Sequence, residues 1–372
     1  MKVLTVFGTR PEAIKMAPLV EMLNGDAEIE SVLCVTAQHR EMLDQVLELF
    51  RLTPDYDLNI MKPNQTIGMI TANVLNGLDT VLKKERPDII LVHGDTTTTF
   101  ASALAAFYNQ IPVGHVEAGL RTGDKYSPYP EEMNRILTGR IADIHFSPTE
   151  RNRDNLLREG INADAIHITG NTVIDALLKV AGKPYEFEDA VLKSTDFENR
   201  RVITVTCHRR ENLGENMEQI FSAIRMIADE FDDVEVIYPV HLNPKVRETA
   251  EKILSGANNV KLIAPLQYQP FVNLMARSHF IITDSGGMQE EAPSLGKPVL
   301  VVRRETERPE AVAAGTVKLA GVDKDTIYEL AKRLLTDGDF YNEMAHAVNP
   351  YGDGKACERI IKILKNSEIC CE

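Results

Sequence analysis

Short runs of valine, isoleucine, leucine and phenylalanine recur along this chain, separated by longer stretches in which apolar positions follow a helical spacing. Such runs, bounded by glycine, proline or aspartate, are typical of buried parallel strands, and the stretches between them are typical of helices. In the first half the pattern predicts strands at 3–7, 31–36, 89–93, 112–116, 144–146 and 166–168. It predicts helices between them at about 40–50, 66–84, 97–108, 131–142 and 149–158. This alternation predicts βαβ units and therefore a parallel sheet.

The second half repeats the series after a stretch of weak periodicity and mixed charge at 183–199, which we expect to connect two domains. Further strands are predicted at 202–206, 234–238, 260–263, 280–283 and 299–302. The two halves echo each other, since Arg10 and Glu12 follow the first strand of one half as Arg209 and Glu211 follow that of the other. The pattern predicts an α/β protein of two Rossmann-like, doubly wound domains that face a central cleft, where the carboxyl ends of the strands would bind a ligand.

The strand predicted at 280–283 leads into the turn Asp-Ser-Gly-Gly at 284–287, after which a helix is expected to open at Met288. Backbone N–H groups at a helix start have no internal partners and can hold a phosphate, and glycine lets an anion approach closely. Glu291 lies one helical turn beyond Gly287 and could accept hydrogen bonds from ribose hydroxyls. A plain helix cap followed by a solvated glutamate pair explains this stretch equally well.

Composition excludes several classes of protein. The chain has 372 residues, enough for two domains, and a net charge of −14, which argues against a nucleic-acid partner. No apolar run approaches the length that spans a membrane, and the first run is too short for a signal peptide, so we expect a soluble, cytoplasmic protein. The chain has five cysteines, Cys34, Cys207, Cys357, Cys370 and Cys371. This odd number, without a C-x-x-C pair, argues against a disulfide framework or a zinc site.

Polar clusters follow several of the predicted strands. The first strand ends in Gly-Thr-Arg, not in the G-x-G-x-x-G of a dinucleotide site, so no nicotinamide cofactor is expected. Thr9 and Glu12 form a capping box that begins a helix. Each candidate also has a structural explanation: Asp95 could cap a helix, Glu131 could face a helix dipole, and Lys15 could be surface charge. Taken together, the clusters indicate cations and an N–H nest for a phosphorylated ligand and carboxylates for acid/base work on its other end.

Six short motifs occur together in this chain: Phe-Gly-Thr-Arg-Pro-Glu at 7–12, His-Gly-Asp-Thr-Thr-Thr at 93–98, Val-Glu-Ala-Gly-Leu-Arg at 116–121, Pro-Glu-Glu at 130–132, His-Arg-Arg-Glu at 208–211 and Thr-Asp-Ser-Gly-Gly at 283–287. The combination resembles the non-hydrolysing UDP-N-acetylglucosamine 2-epimerases of bacteria, over residues 1 to about 364. The resemblance implies a fold of the GT-B type. It implies one domain of residues 1–170 with a returning C-terminal helix, 354–372, and a second domain of residues 171–353.

The resemblance also implies a reaction, the reversible conversion of UDP-GlcNAc to UDP-ManNAc without NAD. The C2 proton has no neighbouring carbonyl to acidify it, so the family route eliminates UDP, passes through a 2-acetamidoglucal and adds UDP back. The product would supply ManNAc for cell-surface polysaccharide. The resemblance further implies a homodimer and, in some bacterial members, activation by UDP-GlcNAc at a second pocket.

Site residues carried over from the resemblance fall into three groups. The catalytic group would be Asp95, Glu117, Glu131 and His208, without an assignment of acid and base. The UDP and substrate group would be Arg10, Lys15, Leu266, Phe271, Ser285, Gly286, Gly287, Glu291 and Arg308. The candidates for an activator pocket are Gln38, His39, Arg209 and His241. No metal is expected. Two positions depart from the family, since Cys207 replaces a frequent glycine and Leu266 replaces a glutamine of some members; neither belongs to the acid/base set.

Three alternatives remain open on the residues alone. A hydrolysing epimerase uses the same glucal chemistry but releases free ManNAc and UDP. A GT-B glycosyltransferase needs an acceptor and leaves the donor unchanged without one. A non-catalytic UDP-sugar sensor binds without turnover.

Overall fold

The computed structural model describes residues 1–37, 40–62 and 64–367. The chain divides into two compact units: unit 1 comprises Met1–Ala176 and Tyr351–Glu372, and unit 2 comprises Leu177–Pro350. The segment 183–199, which the sequence suggested as the connection, lies within unit 2. Its Phe187 and Leu192 are buried against Val202 and Ile237. The segment is therefore packed into unit 2 despite its mixed charge, and the prediction of a connecting segment is wrong.

Unit 1 is built around a parallel sheet of seven strands. The strands are β1 Lys2–Phe7, β2 Glu30–Val35, β3 Tyr56–Asp57, β4 Ile89–His93, β5 Val113–Val116, β6 Ile144–Ser147 and β7 Ile166–Ile168. The helices are α1 Arg10–Gly25, α2 Arg40–Leu49, α3 Ile67–Glu85, α4 Thr97–Tyr108, α5 Glu131–Ile141, α6 Glu150–Arg158 and α7 Thr172–Ala181, of which residues 177–181 fall in unit 2. The strand order is β3-β2-β1-β4-β5-β6-β7, so the direction of winding reverses between β1 and β4, where doubly wound sheets bind their ligands.

Unit 2 repeats this plan with a parallel sheet of six strands. The strands are β8 Arg201–Thr206, β9 Val234–Pro239, β10 Val260–Ile263, β11 Phe280–Thr283, β12 Val299–Val301 and β13 Val317–Leu319. The helices are α8 Ala190–Ser194, α9 Glu215–Glu230, α10 Pro244–Leu254, α11 Tyr268–Arg277, α12 Gly286–Glu291, α13 Pro309–Ala314, α14 Lys324–Thr336 and α15 Gly338–Ala345. The order β10-β9-β8-β11-β12-β13 reverses between β8 and β11, which confirms the predicted doubly wound α/β architecture.

The cores explain why the strands read as continuous apolar runs. Helices cover both faces of a parallel sheet, so alternate side chains on either face are buried. In unit 1, Leu4 and Ile90 of the central strands pack with Leu78 of α3. In unit 2, Phe280 and Tyr238 pack with helix residues of α9 and α14 in one large cluster.

The C-terminal helix, α16 Ala356–Asn366, belongs to unit 1. Its first N–H groups are capped by Asp175 of α7, which accepts from Ala356 N at 3.2 Å and Cys357 N at 2.9 Å. Near its end, Lys365 pairs with Asp26 at 3.0 Å. A buried carboxylate at a helix start satisfies N–H groups that the helix itself cannot.

Within the described ranges, no helix is long and apolar enough to cross a membrane. The same residues contain no cluster of three or more His, Cys, Asp and Glu side chains arranged to hold a metal ion. Cys34, Cys207 and Cys357 are buried free thiols.

Candidate active site

The loop after β1 is fixed by Glu12, in the first turn of α1. One oxygen of this buried carboxylate, Oε2, accepts from Gly8 N at 3.0 Å and from Thr9 N at 2.8 Å. Its other oxygen accepts from Thr96 Oγ1 at 2.6 Å and from Thr99 Oγ1 at 3.1 Å. The predicted capping box is confirmed, and Glu12 also ties the loop after β1 to the start of α4.

Glu117 is the first residue after β5 and lies at the centre of a charged cluster. Its Oε2 is 2.5 Å from Lys15 Nζ and 2.8 Å from His93 Nε2. Burial by itself raises the pKa of Glu117, but the Lys15 ammonium and the His93 ring outweigh it and hold the pKa well below its ordinary value. Glu117 is therefore ionised near neutral pH, and it fixes Lys15 beside it. Sequence analysis did not propose His93 as a site residue. The feature that could have identified it is its position at the end of a predicted strand.

Asp95 does not cap α4, so that explanation of its presence is wrong. Thr96 is the N-cap, and its side chain accepts from Thr99 N. Asp95 Oδ2 instead accepts from two nitrogens of Arg135, Nε at 2.9 Å and Nη2 at 2.6 Å, and Asn134 Nδ2 donates to its main-chain carbonyl at 2.9 Å. This two-pronged contact orients the carboxylate. Sequence reasoning missed Arg135, although its helix was predicted.

The two glutamates that open α5 have different environments. Glu132 is 1% exposed, accepts from Thr122 N and Gly123 N at 3.0 Å each, and pairs with Arg135 at 3.0 Å. Its contacts hold the loop that precedes the helix. Glu131 is only partly buried, and no residue of the described chain donates a hydrogen bond to its carboxylate. Its carboxylate is therefore less committed to contacts within the protein than that of Glu132.

In unit 2 the helix after β11 begins at Gly286, not at Met288 as the sequence suggested. Ser285 is its N-cap, and the Ser285 side chain makes no capping hydrogen bond. A Cβ built on Gly286 would lie 3.9 Å from Arg209 Nη2 and 4.0 Å from Arg308 Cζ. The helix start therefore has two guanidinium groups beside its uncapped N–H groups, a combination that attracts anions.

A pocket of about 240 Å³ adjoins this helix start. Leu266 and Phe271 contribute apolar surface, while His208, His241 and Ser285 contribute polar atoms. The His208 and His241 rings stack with their centroids 5.3 Å apart and 12° between their planes. Such a pocket, with apolar surface beside convergent hydrogen-bond donors, suits a nucleobase that is attached to phosphates.

The other predicted residues of unit 2 border the same helix. Glu291 is buried, with Oε1 3.4 Å from a Cβ built on Gly287. Arg308 is the N-cap of α13, and its Nε donates to Glu290, a partner that the sequence did not suggest. In unit 1, Arg10 opens α1.

The residues suggested for an activator pocket are not set apart from the others. Arg209 lies beside Gly286, and His241 shares the pocket of His208. Gln38 and His39 lie outside the described residues.

Comparison with known proteins adds the family. The sequence profile of the family described as UDP-N-acetylglucosamine 2-epimerase matches residues 21–365. A Bacillus subtilis protein named UDP-N-acetylglucosamine 2-epimerase is 61% identical over 364 residues, covering 98% of this chain and 95% of that protein. An Escherichia coli protein of the same name is 58% identical over 381 residues, covering 99% and 100%.

Solved structures agree. A crystal structure of a protein described as a UDP-N-acetylglucosamine 2-epimerase from Listeria monocytogenes has a TM-score of 0.93 and 53% identity, covering 98% of this chain and 95% of that one. The UDP-GlcNAc 2-epimerase from Neisseria meningitidis, solved with UDP-GlcNAc bound, has a TM-score of 0.86 and 53% identity, covering 99% and 100%. This chain belongs to the UDP-N-acetylglucosamine 2-epimerase family and is an isomerase.

Proposed function

We propose that the protein interconverts UDP-GlcNAc and UDP-ManNAc at C2 without hydrolysing either. The observation that carries the proposal is the pocket of unit 2, where apolar Leu266 and Phe271 adjoin the uncapped start of α12. A uracil ring fits the first part and a diphosphate the second. The Neisseria relative, solved with UDP-GlcNAc bound, supports this choice of ligand.

The diphosphate is the leaving group, and unit 2 stabilises it. The N–H groups of Gly286 and Gly287, with Ser285, meet its oxygens, and Arg209 and Arg308 place positive charge beside them. When the C1–O bond breaks, its electron pair passes to a diphosphate oxygen. Preorganised donors at that oxygen lower the barrier by several kcal/mol. Arg10 would add a further cation, Glu291 would hold the ribose hydroxyls and His208 would donate to a phosphate.

The proton chemistry is assigned to unit 1. Elimination removes the C2 proton as UDP departs, and re-addition returns a proton to the opposite face, so two groups must act. Glu131, whose carboxylate accepts no hydrogen bond from the described chain, would exchange one proton, and Asp95, oriented by Arg135, would act on the other face. Glu117, ionised beside Lys15, would stabilise the positive charge that develops at C1.

The remaining expectations become part of the same proposal. The product would provide ManNAc for cell-surface polysaccharide. The enzyme would work in the cytoplasm as a homodimer, with UDP-GlcNAc as an activator as well as the substrate.

An NMR time course on UDP-GlcNAc in D₂O tests the proposal directly. We expect UDP-ManNAc to form until equilibrium, with little free sugar and with deuterium at C2 of the product. Predominant free ManNAc and UDP would indicate a hydrolysing enzyme. Turnover that begins only after an acceptor is added would indicate a glycosyltransferase, and binding without turnover a sensor. Conversion without deuterium at C2 would exclude proton exchange at that carbon.

The orientation of Asp95 can be tested at Arg135. Arg135→Lys replaces a two-pronged contact with a single ammonium, which cannot hold Asp95 and Glu132 together. We expect kcat to fall about 10-fold with little change in KM, because the misplaced carboxylate acts in the transition state. Initial rates with UDP-GlcNAc measure both constants.

Arg121→Lys is the matched control. Arg121 is as buried as Arg135 and makes an equivalent two-pronged contact, to Glu159, at 2.6 and 3.0 Å. Its kcat should stay within about twofold of wild type, because Glu159 has no assigned role in the chemistry. Equal losses in the two variants, or none at Arg135, would contradict the assignment.

A further inference from the structure

The loop after β8, which carries His208, is held by a carboxylate from another strand. Asp284 directly follows β11, the neighbour of β8, and is completely buried. Its Oδ2 accepts from His208 N and Arg209 N at 2.8 Å each and from Asn212 Nδ2 at 3.1 Å. Three donors on one oxygen satisfy that half of the carboxylate and fix the backbone of the loop.

The second oxygen has a different environment. Among the described residues, Asp284 Oδ1 is buried without a hydrogen-bond donor at normal distance. The imidazole of His208 lies beside this oxygen, with Nδ1 3.5 Å away. Leaving a buried carboxylate oxygen unpaired costs free energy. A small movement of the imidazole that brings Nδ1–H onto Oδ1 removes that cost.

The imidazole of His208 is also constrained on its other sides. One face stacks on His241, and the ring lines the pocket that includes Ser285 and Met288. In an imidazole the two nitrogens lie on opposite sides of the ring carbon between them. If Nδ1 is engaged by Asp284, Nε2 is the nitrogen that remains for a ligand.

We propose that Asp284 is the positioning residue of His208: it accepts the Nδ1–H hydrogen bond, stabilises the imidazolium and directs the Nε2–H of that imidazolium to the diphosphate of the ligand. His208 itself transfers no proton, and the C2 proton goes to the groups of unit 1 named above. The C1–O bond breaks, its electron pair passes to the diphosphate oxygen, and Nε2–H donates a hydrogen bond to the growing negative charge. The inference rests on the proposed function, since it names the residue that orients one of its phosphate donors.

The charges around His208 define the pH dependence. Burial lowers the pKa of His208 from its ordinary value, Asp284 opposes that shift, and the nearby His241 and Arg209 add to it. The titratable and charged groups that border the ring from the surrounding loops and β9 are Cys207, Arg209, Tyr238, His241 and Asp284. Burial, with Asp284 second, raises the pKa of Cys207, so its thiol stays neutral. UDP affinity should therefore fall as the pH rises through the pKa of His208.

Histidine-labelled full-length protein tests the proposal without any ligand. The His208 signals are assigned by their loss in His208→Gln, and ¹⁵N shifts report which nitrogen carries the proton. In the wild type we expect the neutral ring to be protonated on Nδ1. In Asp284→Asn we expect the pKa of His208 to fall by about 0.5 or more, because the one opposing charge is gone.

Asp175→Asn is the matched control, since Asp175 is another buried carboxylate that accepts from two consecutive backbone N–H groups. It should lower the melting temperature and leave the His208 titration unchanged. A neutral wild-type ring protonated on Nε2 would overturn the proposal, and so would a His208 pKa in Asp284→Asn within about 0.2 of wild type. If Asp284→Asn does not fold, the wild-type tautomer alone decides.

Calorimetry with UDP separates this inference from the function on which it rests. We expect Asp284→Asn to bind UDP at least about 3-fold more weakly near neutral pH, because a fall of about 0.5 in the pKa of His208 lowers the imidazolium fraction by up to that factor. The pH at which UDP affinity declines should move down with that pKa. Wild-type protein that fails to bind UDP would refute the proposed function, while the tautomer and the titration would still report whether Asp284 positions His208.

Discussion

Replacing Glu117 with glutamine is expected to lower kcat at least about 10²-fold while UDP binding is largely retained. The carboxylate is the common partner of Lys15 and His93 in unit 1. A neutral amide carries no charge to balance the Lys15 ammonium, so the ammonium is no longer held in place by an ion pair. UDP binding is assigned to unit 2, whose pocket this change does not touch.

Glu85→Gln controls for the loss of a carboxylate in a lysine pair. Glu85 ends α3 and pairs at 2.9 Å with Lys2, the first residue of β1. It therefore lies at the amino ends of the strands, whereas Glu117 follows the carboxyl end of β5. We expect this variant to keep a kcat within about twofold of wild type. Initial rates and calorimetry with UDP supply the data. Turnover like that of the wild type in Glu117→Gln would remove this residue from the catalytic set.

Gly119→Ala is expected to destabilise the protein by about 3 kcal/mol or more. Gly119 has φ +94°, where an L side chain is strained, and an added Cβ would overlap the carbonyl oxygen of Asn152 and lie 2.8 Å from its carbonyl carbon. Neither backbone atom can move aside without disturbing α6. Because Gly119 is two residues beyond Glu117, activity should fall together with stability.

Gly123→Ala isolates the effect of the overlap. Gly123 has a similar φ of +83°, but nothing lies within 4 Å of an added Cβ. Its free energy of unfolding should therefore fall only by the cost of backbone strain, about 1 kcal/mol. Urea unfolding of both variants gives the two free energies. Equal losses would show that backbone strain, and not contact with Asn152, accounts for the requirement for glycine.

The fold could be predicted because the parallel strands are covered on both faces and so appear as unbroken apolar runs. The strands that were missed, β3 and β13, are the short segments Tyr-Asp and Val-Lys-Leu, neither of which is an unbroken apolar run. The start of α12 was placed late because glycine is rare inside helices. Here Gly286 and Gly287 occupy the first turn without a positive φ, where their lack of a side chain leaves room for neighbouring guanidinium groups.

The candidate site could be predicted only one residue at a time. Polar side chains at strand ends are visible in the sequence, which is how Asp95 and Glu117 were chosen. Their partners are not visible, because Arg135 is 40 positions from Asp95 and Lys15 is 102 from Glu117. Such pairs depend on which strands become neighbours, and no local pattern encodes that.

Three buried carboxylates share one arrangement that matters for protein engineering. Glu12, Glu132 and Asp284 each direct a single oxygen at two consecutive backbone N–H groups: those of 8–9, 122–123 and 208–209, respectively. Each therefore locks a loop from outside it. A loop of this kind has to be grafted together with the carboxylate that holds it. For residues 208–209 that carboxylate, Asp284, lies 76 positions from His208. A transplant of the contiguous loop alone would carry the chemistry of His208 without the shape that directs it.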